Sequence, residues 1–123
     1  MALELEQPGI LEQFEAVIQS EDRLKIREFL DDQNISDVAF LVHEFPDFQS
    51  QIVANMSVHR AASVFKILDL SIQKSVIRDL PANTTATLLN ELPADDRTDF
   101  LEELPSNVVR ELIKLLDPDE RKI

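Results

Sequence analysis

The sequence predicts an all-α fold, a right-handed superhelix of short helices stacked as repeats, and three observations carry that reading. Leu-Pro steps recur at a fixed period: Pro81, Pro93 and Pro105 are twelve residues apart, and Pro118 follows thirteen later. The seventh, eighth and eleventh residues after each of the first three prolines are apolar: Leu88, Leu89, Leu92; Phe100, Leu101, Leu104; Leu112, Ile113, Leu116. Apolar residues at i, i+1 and i+4 make one stripe of an α-helix. Finally, a single Gly in 123 residues, with seven Phe and no Trp or Tyr, suits helices better than a turn-rich β fold. Proline tolerates the start of a helix and drives its predecessor out of the helical region. Each Leu-Pro step therefore ends one helix and starts the next, and no helix of about three turns can bury its stripe alone. The handedness is the general expectation for α-solenoids; the spacing itself carries none.

In chain order, residues 1–7 read as a polar tail, and the helical-repeat domain spans residues 8–123. After Pro8-Gly9 a helix is expected to about Gln19, with Ile10, Leu11, Phe14, Val17 and Ile18 on one face. Ser20 has the chemistry of an N-cap for a second helix carrying Leu24, Ile26, Phe29 and Leu30. Ser36 and Asp37 open a third, with Val38, Phe40, Leu41 and Phe45. Further joints fall near Pro46, Ser57, Leu70, Pro81, Pro93, Pro105 and Pro118, giving nine or ten helices. Met56 and the seven Phe are expected in the core. Residues 117–123 read as the start of another helix, cut short.

Composition excludes several functions. Without Cys there are no disulfides, thiolate metal sites or cysteine nucleophiles. Twelve basic against twenty-four acidic residues give a net charge of −12, which repels nucleic acid. No apolar run approaches the ~18–20 residues of a membrane span, and no signal peptide opens the chain. One Gly cannot build a phosphate-cradling loop. The scattered Ser and Thr have no base partner and no GxSxG, so the chain is read as a binding protein rather than an enzyme. His43 and His59, sixteen residues apart with no carboxylate at metal spacing, read as surface histidines.

The helix after Pro93 concentrates charge. It carries Asp95, Asp96, Asp99, Glu102 and Glu103 with Arg97 as its single base. Asp95 and Asp99 share a face, their Cβ atoms ~5–6 Å apart, and neither has Lys or Arg at helical pairing distance. Like charges so placed destabilise a helix by ~0.2–0.5 kcal/mol per pair. Such a column is what a divalent-cation face looks like, because Mg2+ prefers one or two carboxylates plus water. The plainer reading stands beside it. Asp95 and Asp96 lie in a first helical turn, where acids gain from the dipole, and an acidic run is ordinarily a solvated face.

The repeated Leu-Pro-led units, closing with LLDPDER, resemble the N-terminal cytoplasmic domain of MgtE-family magnesium transporters from about Asn34 to Arg121, and Ile10–Leu30 resemble that family's opening helices. The resemblance implies a Mg2+-sensing regulatory domain at the cytoplasmic face of the bacterial inner membrane. Mg2+ would bind its acidic face, at Asp95, Asp99 and Asp96, against paired CBS (cystathionine-β-synthase-type) domains of the same polypeptide and favour the closed pore. It also implies a homodimeric full-length protein, with no nucleic acid partner and no membrane insertion by this segment. Where relatives often have an acid, this chain has Ser63. The middle domain of flagellar motor switch proteins is similar in fold, which leaves a protein-interaction scaffold as the alternative.

Overall fold

A computed structural model describes residues 9–115. Among them lie nine α-helices and one 3-10 turn, with no strand. The helices are α1 (Ile10–Gln19), α2 (Arg23–Asp31), α3 (Ile35–Glu44), α4 (Gln49–Ala54), α5 (Val58–Ile67), α6 (Leu70–Asp79), α7 (Ala82–Glu91), α8 (Ala94–Glu102) and α9 (Ser106–Leu115). The 3-10 turn Pro46–Phe48 separates α3 from α4. The all-α expectation therefore holds, and the joints at Ser57, Leu70, Pro81, Pro93 and Pro105 fall where the repeat put them. The polar tail, the Pro118 joint, Leu116 and the truncated last helix lie outside the described residues.

The prolines act one position earlier than a first-turn role. Pro81 and Pro93 are N-caps with extended ψ of 146° and 147°, following Leu80 and Leu92, which are themselves extended. Their carbonyls accept the first intrahelical bonds, from Thr85 at 3.0 Å and Arg97 at 2.9 Å. Pro105 receives Val109 in the same way at 3.1 Å. The missing proline N–H falls where a helix never needs one.

Packing follows a skip rule. The odd-numbered helices each lie against the next but one, α1 on α3, α3 on α5, α5 on α7 and α7 on α9, and α4 lies on α6 beside that row. Neighbours α1–α2, α3–α4 and α4–α5 pack as well. The core runs along this alternation through Phe14, Ile26, Leu30, Leu41, Ile52, Phe65, Val76 and Leu89, each 1% exposed or less. Phe14 anchors the opening helices, its ring centroid 4.9 Å from Phe45 and 5.9 Å from Phe29. Arg60 of α5 fastens the second helix, donating through Nη2 to the carbonyls of Leu30 at 3.0 Å and Gln33 at 2.5 Å. Those bonds tie α5 to the last turn of α2 and to the residue just beyond its C-cap, where Leu30 O also accepts from Gln33 N–H at 3.1 Å. Gln73 of α6 does the same for α5, donating to Phe65 O at 2.8 Å.

Several expectations need correction. Asp22, not Ser20, caps α2, its carboxylate accepting from the backbone N–H of Leu24 and Lys25. Ser20 instead ends α1, donating to Val17 O and accepting from Asp22 N–H. The intervening turn is forced by Glu21, whose φ of 58° is left-handed. Ser36 and Asp37 do open α3, in its first turn, and the cap before them is Asn34. Leu24 is 73% exposed, because on α2 it points opposite Ile26 and Leu30. Phe40 and Ile113 are 44% and 41% exposed. Of the seven Phe, Phe14, Phe65 and Phe100 are buried, Phe29, Phe45 and Phe48 pack half-buried against them, and Phe40 faces out. Met56 is in the core as expected.

Candidate functional site

Helix α8 owes its position to one buried side chain. Phe100 is 4% exposed and meets Phe65 of α5 edge-on, centroids 5.2 Å apart at 82°. Leu101 and Leu104 are only partly buried, so the repeat's apolar stripe thins here. Helix α4 packs closely on α6, but among the described residues α8 makes only sparse approach to α6. A cleft of about 320 Å³ opens between them. Its apolar floor is Phe65, Leu70, Leu92 and Phe100; Asp96, Asp99 and Glu103 form one wall, Lys66 and Gln73 the other.

The structure divides the predicted acids. Asp96 and Asp99 face the cleft, while Asp95 does not line it. Glu103 joins them, a residue that sequence reasoning counted as charge but did not place. Asp96, Asp99, Phe100 and Glu103 are spaced i, i+3, i+4 and i+7, which is one helical face, so the signal was present in the spacing. All of these acids are exposed. Among the described residues Asp95, Asp96 and Asp99 form no ion pair, whereas Glu111 of α9 binds Lys114 at 3.3 Å. Also among the described residues, no three His, Asp or Glu side chains converge closely enough to hold a metal ion.

The two histidines sit apart from α8's cleft. His43 Nδ1 contacts its neighbour Glu44 at 3.0 Å on an exposed surface. His59 is 3.8 Å from Glu91, in a groove of about 150 Å³ that it shares with Ser63, Lys66 and Pro93. The Ser63 hydroxyl donates to His59 O at 3.2 Å, an ordinary helix back-bond that commits it within α5.

Comparison with known families decides what this arrangement belongs to. Residues 33–123 match the family model described as the MgtE intracellular N domain. The chain is a member of that family. No curated protein matches it. The MgtE N domain is an N-terminal, intracellular domain of magnesium transporters, and the chain is accordingly such a domain. The match begins after α2, so α1, α2 and the Phe14–Phe29 contact between them precede the matched segment. Among the described residues no helix of this MgtE N domain is long and apolar enough to cross a membrane.

Proposed function

We propose that this MgtE N domain senses Mg2+ through the carboxylates of α8 and has a regulatory, not catalytic, role. The supporting observation is that Asp95, Asp96 and Asp99 stand exposed on one short helix without an ion pair among the described residues. Their donor chemistry suits the ion: Mg2+ accepts hard oxygen ligands, keeps several waters, and commonly uses one or two carboxylates of any one surface. An i, i+4 pair supplies that much and no more, which agrees with the lack of a three-ligand cluster among the described residues.

The reading extends to a partner. Asp95 and Asp99 repel a second acidic surface, and a bound Mg2+ would supply the countercharge between the two. The expected surface belongs to CBS domains of the same polypeptide, at the cytoplasmic face of the membrane in a homodimeric transporter. With the ion absent, self-repulsion of α8 and its partner holds the N domain away. With it present, the docked state gains differential binding energy and the closed pore is favoured. The scaffold alternative, like the flagellar switch middle domain, gains nothing from the family match.

An amide-shift titration of the 123-residue chain with MgCl2 tests the site. Shifts concentrated on residues 94–103, saturating only at millimolar ion, are expected. Shifts spread evenly over the acidic surface would reduce α8 to a solvated face.

A further inference from the structure

The cleft between α6 and α8 has a property that a hydrated cation does not use: its floor is apolar. Phe65 and Phe100 are buried beneath it, Leu92 is 5% exposed, and Leu70, 36% exposed, supplies most of its open apolar surface. A Mg2+ carrying waters would leave that surface wet, and the three carboxylates do not converge on one point. Asp96, Asp99 and Glu103 instead run along the wall for two helical turns, about 10 Å. Gln73 is committed, its amide donating to Phe65 O at 2.8 Å. The opposite wall therefore offers Lys66 as its cation, which turns any incoming positive charge toward α8.

We propose that this cleft receives an arginine side chain from a segment of a partner protein. Charge complementarity chooses that occupant. An aliphatic stem lies on the Leu70 and Phe100 floor, and the guanidinium head reaches the Asp99 and Glu103 carboxylates. Arginine suits the wall better than lysine because its planar fork bonds carboxylates in pairs and is weakly hydrated. A stem on apolar surface with its charge at the edge is the normal habit of long basic side chains. A cleft of about 320 Å³ admits such a side chain with room for water beside it and is too small for a whole helix, so the partner contributes an anchor. The inference does not depend on the Mg2+ reading, although Asp96 and Asp99 serve both.

The test uses the 123-residue chain in chelator-treated buffer and a tetrapeptide, acetyl-Leu-Arg-Leu-Arg-amide, against its citrulline counterpart of the same shape and no charge. The arginine peptide shifts the amides of Leu70, Gln73, Asp99, Phe100 and Glu103, and the citrulline peptide leaves them in place. Asp99→Asn with Glu103→Gln weakens binding about tenfold, the loss of a charged hydrogen bond, at unchanged melting temperature. Glu111→Gln, equal in charge lost per site but on α9, leaves it unchanged. Equal binding of the two peptides, or equal weakening by Glu111→Gln, means general attraction to an acidic protein and overturns the proposal. Because no Mg2+ is present, failure here says nothing against the metal reading, and success does not support it.

Discussion

Leu89 and Leu24 show how far apart two leucines of one chain stand in what they contribute. Leu89 is fully buried at the crossing of α7 with its row, while Leu24 is 73% exposed on α2. Leu89→Ala deletes buried methyl groups and leaves a cavity, so urea melts should show a loss of ~2–5 kcal/mol. Leu24→Ala should stay within ~0.5 kcal/mol of the parent, as surface changes do. Arg60 is the polar counterpart. Its Nη2 serves two carbonyls at the end of α2, so Arg60→Ala should cost ~1.5–3 kcal/mol, the range for hydrogen bonds to a charged group. Amide exchange would place that loss in α2 first, and uniform loss across the chain would contradict the clamp. Which leucines face inward was legible in the Pro81 repeat, at Leu88, Leu89 and Leu92, while the same positions of the next repeats are only partly buried at Leu101 and Leu104 and exposed at Ile113. It was not legible at Leu24, because a four-residue apolar set on a nine-residue helix covers more than one face. Ser20 and Asp22 were both chemically able to cap α2. The choice fell to Asp22 through Glu21's left-handed φ, a backbone feature that a sequence does not print.

Among the elements, α8 joins sparse burial to crowded charge, while α6 across the cleft buries only Val76. Helix α8 has one buried side chain where α5 has four, and its acids crowd together. Asp99 lies beyond the first turn, gains little from the dipole and is repelled by Asp95, Asp96, Glu102 and Glu103. Asp99→Asn should therefore leave the metal-free fold as stable as the parent or slightly more so. Asp95→Asn should be near neutral, since lost dipole stabilisation offsets relieved repulsion. A thermal melt that fell clearly on Asp99→Asn would mean this carboxylate has a structural partner. By contrast Asp22→Ala, which removes a true cap, should cost ~0.5–2 kcal/mol. The twelve-residue proline period and the acidic run made α8's limits and its charge readable in advance. The cleft was not readable, because it comes from α8 standing off α6, and spacing along one helix carries no distance to another.

For the whole molecule, alternating packing makes a chain of short helices into one continuous core, and a net charge of −12 makes its surface averse to other acidic surfaces. On the proposed reading the isolated chain offers Mg2+ only part of a coordination shell, so its melting temperature should rise only slightly at millimolar ion. Micromolar affinity would reveal a complete site within the chain and contradict the half-site account. The decisive measurement is made in the full-length transporter, by protease protection of the N domain titrated with Mg2+. The account predicts that Asp95→Asn with Asp99→Asn moves protection to higher Mg2+ concentration or abolishes it. Protection of the double variant at the parent's Mg2+ concentration would contradict it, leaving these two aspartates as solvated surface.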